Sequence, residues 1–186
     1  YHEYNKIEKA EVLIRKMQEG TNIALITDAG TPGISDPGFL LARTCAEEGI
    51  EVCTLPGATA CIPAIVSSGL PCDRFCFEGF LPQKKGRKTM LEKLSTETRT
   101  MIFYEAPHKL KSTLDDMAEM LGGARAATLC RELTKLNEEI LRGTVASAAA
   151  TYAEREPRGE YVLIMEGASK EELLEGANNL ENHDCK

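Results

Sequence analysis

An α/β fold built on a parallel sheet is what this sequence predicts, and three observations predict it. Short apolar runs, each followed by a Gly-rich turn and then a helical pattern, occur twice in succession over residues 22–48 and 51–68. Further strand-length runs alternate with helical patterns to residue 165. The composition, 42% hydrophobic and 27% charged over 186 residues, is that of a globular chain able to bury a core.

Taken in order, residues 6–19 predict a helix. Asn5 stands as its N-cap, Glu8 completes a capping-box spacing, and Gly20 stops it. Ile7, Ala10, Leu13, Ile14 and Met17 form its apolar stripe. Residues 22–27 and 51–55 read as buried parallel strands, and residues 39–48 and 61–68 as the helices after them. A strand is expected at 75–78, then a Gly/Pro-punctuated basic stretch at 79–88 that reads as a linker. Strands follow at 100–104, 126–130, 139–143 and 161–165. Helices are expected from Pro107 to about Leu121, and over 147–154. From Glu166 the chain is acidic and thinly apolar, which predicts a frayed or disordered tail. The expected domains are 1–79, a linker at 80–88, a second α/β domain at 89–168, and the tail at 169–186.

Composition narrows the function classes. The net charge of −7, from 22 Lys and Arg against 29 Asp and Glu, disfavours nucleic-acid binding by bulk field, so any such role needs a local basic patch. Seven cysteines with no CxxC pair, and three histidines, assemble no zinc spacing; reduced thiols in a cytoplasmic protein are expected, with no metal. No run approaches the roughly 18 apolar residues of a membrane helix.

The most informative segment is Asp28-Ala29-Gly30-Thr31-Pro32-Gly33-Ile34-Ser35-Asp36-Pro37-Gly38, directly after a predicted strand. Glycines let backbone groups approach a ligand without an intervening side chain, so the loop reads either as a backbone-lined pocket or as an ordinary long turn. It matches neither the dinucleotide nor the P-loop glycine pattern. The second turn, Pro56-Gly57-Ala58-Thr59-Ala60, is less specific alone but lies at the same end of the predicted sheet.

Those two segments, read with Thr27 and Leu55, resemble the tetrapyrrole methylase superfamily, and within it the ribosomal small-subunit RNA methyltransferase I family. The likeness runs to about Gly167. It continues through Phe77-Glu78-Gly79-Phe80-Leu81-Pro82, Tyr104-Glu105-Ala106-Pro107-His108-Lys109, Arg131-Glu132-Leu133-Thr134-Lys135 and Gly159-Glu160-Tyr161-Val162-Leu163. The resemblance implies two α/β domains with S-adenosylmethionine in the cleft between them. It also implies methyl transfer to the 2′-hydroxyl of a cytidine in 16S ribosomal RNA of the small subunit, and a homodimer. It places cofactor contacts at Ala29, Gly30, Thr31, Ile34, Thr59, Ala60, Glu105 and Leu133. The candidate general bases are His108, Glu105, Glu132 and Lys135; a surface histidine, a helix-capping Glu105 and a plain Glu132–Lys135 ion pair are the alternatives. Lys84, Lys85, Arg87 and Lys88 become an RNA phosphate clamp in place of a merely solvated linker.

Two rival readings stand beside this one: C-methylation of a small tetrapyrrole on the same fold, and a non-catalytic module that binds RNA or a partner chain. Relative to the family, the segment expected before Tyr1 is missing, so the resemblance predicts an incomplete first domain with open sheet edges. Lys109, often arginine in the family, and Asn137, often aromatic or histidine, are smaller departures.

Overall fold

The computed structural model describes residues 6–174. Asn5 and the tail beyond Leu174 lie outside the described residues, as does the side chain of Glu8. The chain divides into two compact units, Tyr1–Thr59 and Ala60–Lys186.

The first unit is held by two helices, α1 (Lys6–Gln18) and α2 (Phe39–Glu47). Ala10 and Ile14 of α1 bury against Leu41 and Cys45 of α2, with Leu13, Met17 and Ile50 packed around them. Both helices end in the same left-handed glycine cap. Gly20 N–H donates to Met17 O and Thr21 N–H to Lys16 O, each at 2.9 Å; Gly49 and Ile50 repeat the pattern on Ala46 O and Cys45 O. Neither residues 22–27 nor 51–55 enter a sheet ladder, contrary to the strands expected there. A strand is stabilised by its neighbours, and among the described residues these runs have none. Ile26 is 84% exposed and Leu55 77%, as expected of apolar runs with no sheet to cover them.

The second unit is a five-stranded mixed sheet in the order β1-β2-β5-β3-β4, from β1 (Phe75–Phe80), β2 (Thr100–Glu105), β3 (Ala126–Arg131), β4 (Glu139–Thr144) and β5 (Tyr161–Met165). Only β1 and β2 pair in parallel; the other ladders are antiparallel. Strand alternation divides the core between two faces. Met101, Phe103, Leu129, Tyr161, Leu163 and Met165 face α4 (Arg87–Leu94), α5 (Pro107–Met117) and α6 (Val145–Glu154). Ile102, Cys130, Val162 and Ile164 face α3 (Cys61–Ser68) through Ala64 and Ile65. Helices on both faces explain why all five residues of β5 are buried and why the central strands read as continuous apolar runs.

This packing moves the expected boundary. The compact units divide at Thr59/Ala60, whereas 79/80 was expected, because α3 packs on the sheet of the second unit and β1 is its edge strand. Part of the expected linker is helical: α4 begins at Arg87, after Gly86 at φ +84°, and buries Leu91 and Leu94. Pro107 occupies the first turn of α5, whose last turn continues as a π-helical turn, Ala118–Gly122. α6 starts two residues earlier than expected, where the Thr144 hydroxyl accepts from Ser147 N–H and Ser147 reciprocates on Thr144 N–H.

Candidate functional site

In the first unit the two glycine turns are stitched together. Thr31 N–H donates to Ala58 O at 3.0 Å, and the Thr31 hydroxyl to the same oxygen at 3.2 Å. The Thr27 hydroxyl closes the start of the long loop on Gly30 O at 2.9 Å. Gly30 has φ +78°, and a Cβ there would meet Ala58 O at 3.2 Å; Gly38 leaves still less room, with Gly33 N at 2.9 Å. The glycines are therefore required by close backbone approach. Ala29, Gly30 and Ile34 are exposed and Thr31 and Thr59 half-buried, so peptide groups are presented with little side-chain cover. A ligand rich in polar groups along its length, such as S-adenosylmethionine, suits a loop of this kind. A shallow groove between α1 and α2, lined by residues such as Glu11, Arg15, Leu40 and Glu48, contains none of these residues.

In the second unit the motifs converge on one end of the sheet. Glu105, Tyr161, Arg131 and Glu139 are register partners in successive strands, and Phe80 pairs with Tyr104 one row in. The first turn of α5 with His108, and the loops carrying Glu132, Lys135 and Glu160, leave from that end.

Glu132 is the centre of this cluster. Its backbone N–H donates to Glu160 O at 3.0 Å, and its carboxyl oxygen accepts from Glu160 N–H at 2.9 Å and from Lys135 Nζ at 3.1 Å. Lys135 also reaches Glu160 at 2.8 Å. The Glu160 N–H and then Lys135 hold the Glu132 carboxyl below its ordinary range, and the two carboxylates hold the Lys135 ammonium above its own. The backbone is left-handed at Glu132 (φ +49°) and Thr134 (φ +64°), a conformation that non-glycine residues keep only where surrounding contacts dictate it. Gly159, at φ +84°, permits the arrangement, since a Cβ there would lie 2.6 Å from the Glu132 side chain. Leu133 packs on the α3 face of the sheet.

Glu105 is buried at the end of β2, 7% exposed. One oxygen accepts from Ala106 N–H at 2.8 Å, the other from the Thr113 hydroxyl at 2.5 Å. Thr113 accepts in turn from Arg87 Nη2 at 2.8 Å; Arg87 also binds Asp116 at 2.6 Å and Pro82 O at 3.3 Å. Of the four cations expected as a clamp, Arg87 is thus committed inside the fold, while Lys84, Lys85 and Lys88 are exposed. His108 is exposed on the first turn of α5. The Tyr104 hydroxyl, half-buried, lies against the Cys61 thiol and the N–H groups of Ala60 and Cys61; burial first, then Cys61, pushes it up to about 12. Thr113 and Asp116 carried no sequence signal of their own, because their partners are made by tertiary packing; their spacing on one helix face was the trace available. Among the described residues no group of three or more His, Cys, Asp or Glu is placed to hold a metal ion, and no helix is long and apolar enough to cross a membrane.

Comparison with known proteins follows the same motifs. The family model described as Tetrapyrrole (Corrin/Porphyrin) Methylases matches residues 2–149. A Synechocystis protein named ribosomal RNA small subunit methyltransferase I is 50% identical over 173 residues, which is 92% of this chain and 62% of that protein. The chain spans about three fifths of the length of the curated relatives it matches. Among solved structures, the methyltransferase CobJ superposes with a TM-score of 0.65 at 20% identity, over 88% of this chain and 72% of that one. Uroporphyrin-III C-methyltransferase from Thermus thermophilus, complexed with S-adenosylhomocysteine, superposes with a TM-score of 0.57 at 14% identity, over 87% and 73%. With the match reaching from the helical first unit across the sheet end that gathers Glu105, Glu132 and Lys135, this chain belongs to the tetrapyrrole methylase family.

Proposed function

We propose that this chain carries the S-adenosylmethionine-dependent methyl-transfer machinery of a ribosomal RNA methyltransferase, acting on the 2′-oxygen of a cytidine in 16S RNA of the small subunit. The observation that carries the reading is the half-identical match over nine tenths of the chain to a relative of that name. The backbone-lined Asp28–Gly38 loop supports it. The same reading makes the cytoplasm the working compartment and a homodimer the working assembly.

Cofactor contacts are assigned unit by unit: Ala29, Gly30, Thr31, Ile34 and Thr59 in the first, Ala60, Glu105 and Leu133 in the second. The cofactor supplies a methyl group already activated by its sulfonium, so the protein's task is positioning and proton removal. As the ribose oxygen forms its bond to the methyl carbon, the carbon–sulfur bond breaks, the sulfur keeps the electron pair, and the hydroxyl proton passes to a base. The surroundings sort the candidates for that base. Lys135 is held protonated between two carboxylates, Glu132 is weakened as a base by its donors, and both oxygens of Glu105 already accept hydrogen bonds. His108, exposed on the first turn of α5 three residues after Glu105, is the assignment that remains. Lys84, Lys85 and Lys88 contact phosphates, and Arg87 braces the turn that carries them.

The test is a calorimetric titration of S-adenosylmethionine into this chain and into Gly30→Val. Saturable one-to-one heat from the parent, absent from the variant, is the expected result, since valine at φ +78° is strained and brings its Cβ within 3.2 Å of Ala58 O. A folded parent that takes up no cofactor overturns the reading.

A further inference from the structure

We infer that Phe80, backed by Tyr104, is a stacking platform for an unpaired base of single-stranded nucleic acid, beside the phosphate contacts of the basic turn. The inference rests on the RNA-directed reading above and adds to it a residue and a mode of recognition.

The platform is built by an irregularity in β1. Phe77 pairs with Ile102 and Gly79 with Phe103, so Glu78 is an extra residue in the register, and Gly79 takes φ +62°. In a regular strand residues 77 and 80 would point to opposite faces; the bulge turns both onto one side. Phe77 and Phe80 accordingly meet the same Tyr104 ring edge-to-face, at centroid distances of 5.0 and 5.7 Å. The inner two rings are half-buried and pack on the α3 face of the sheet, whereas Phe80 is 56% exposed. An exposed aromatic fixed from behind is ready to stack, because little freedom remains to be lost on binding.

What covers it is indicated by the residues that follow. Leu81 is buried, and Pro82 O is held by Arg87, itself anchored on Asp116 and Thr113 of α5. The turn is therefore tied to the same scaffold as the ring. It presents Lys84 and Lys85, followed by Lys88 on the first turn of α4, all exposed, on a chain whose net charge is −7. Aromatic faces interleaved with cations are the arrangement that single strands use, bases on rings and phosphates on lysines. A duplex keeps its bases stacked internally and offers the ring nothing.

The test measures binding of a short single-stranded RNA, and of the same sequence as a duplex, to the parent chain, Phe80→Ala, Phe80→Tyr and a Lys84→Ala/Lys85→Ala variant over a salt series. Phe80→Ala should bind the single strand roughly 5- to 100-fold more weakly with its salt slope unchanged, Phe80→Tyr should restore binding, and duplex binding should not respond. The lysine variant should instead flatten the salt slope. Because the chain has no tryptophan, Phe80→Trp provides a single reporter whose fluorescence the single strand should quench. Unchanged affinity in Phe80→Ala, or an equal loss on duplex and single strand, overturns the platform while leaving RNA binding intact. A parent chain that binds neither RNA at low salt overturns the RNA reading as well.

Discussion

Thr113→Val isolates the contact that joins the basic turn to the end of β2. The hydroxyl of Thr113, itself 0% exposed, accepts from the Arg87 guanidinium at 2.8 Å and donates to Glu105 at 2.5 Å. Valine preserves the shape of the site, so no cavity term enters; both hydrogen bonds are lost, and a carboxyl oxygen of a residue only 7% exposed is left without its donor. A buried hydrogen bond to a charged group is worth roughly 1.5–3 kcal/mol, and an orphaned buried acceptor adds to the loss. Arg87 keeps Asp116 and Pro82, and Glu105 keeps Ala106 N–H, which limits the total to about 3 kcal/mol. Urea unfolding of the second unit should show that loss as a lower midpoint with an unchanged slope, while Thr113→Ser should cost under about 1 kcal/mol. Combined with Arg87→Met, the effect should be non-additive by about 1 kcal/mol or more. A valine variant within about 0.5 kcal/mol of the parent would refute the network as a structural tie.

Further outcomes follow from the same geometry. Gly159→Ala should destabilise the second unit by about 2 kcal/mol, read by the same urea assay, because alanine at φ +84° is strained and its Cβ collides with Glu132. Glu139 is held below its usual carboxyl range chiefly by hydrogen bonds from Arg155, and a depressed folded-state value stabilises above the unfolded one and is lost as pH falls. Thermal melts of Glu139→Gln should therefore fall below the parent at pH 7, and the gap should close below pH 4.5, the group's ordinary value. Ile26→Ser and Leu55→Ser, at positions 84% and 77% exposed, should each change stability by less than about 0.5 kcal/mol; a larger loss by circular dichroism would mean that these runs are packed. His108→Ala should lower the rate of methyl transfer by roughly 100-fold or more with cofactor binding unchanged, whereas a surface role would leave the rate intact.

The second unit was legible wherever one element's pattern was enough. Apolar runs marked β2, β3 and β5, Pro107 marked the start of α5, and helical spacing set its buried face. The basic stretch was harder, because its lysines and glycine hide a helix whose only apolar anchors are Met90, Leu91 and Leu94; composition therefore suggested a linker where α4 stands. The pairing partner of β1 was not legible at all, since strand order is a tertiary property. Residues 22–27 and 51–55 carry the pattern of buried strands, but a ladder requires a neighbour, and the described residues supply none. The long glycine loop left a ligand pocket and an ordinary turn both open; the structure shows its glycines making close backbone contacts within the unit, Gly30 on Ala58 and Gly38 on Gly33. The Glu132–Lys135 ion pair stood among the readings of the sequence, but the part Glu160 takes in it was not readable, because it depends on Gly159 leaving space for a side chain from another loop.

The central claim is methyl transfer to a ribose of small-subunit RNA, and it is tested most directly by incubating this chain with radiolabelled S-adenosylmethionine and small ribosomal subunits lacking the modification, then digesting the RNA to nucleosides. The account predicts label in 2′-O-methylcytidine, lost with Gly30→Val. Label on a base, label on an added tetrapyrrole in place of RNA, or none from a chain that binds the cofactor, would contradict it.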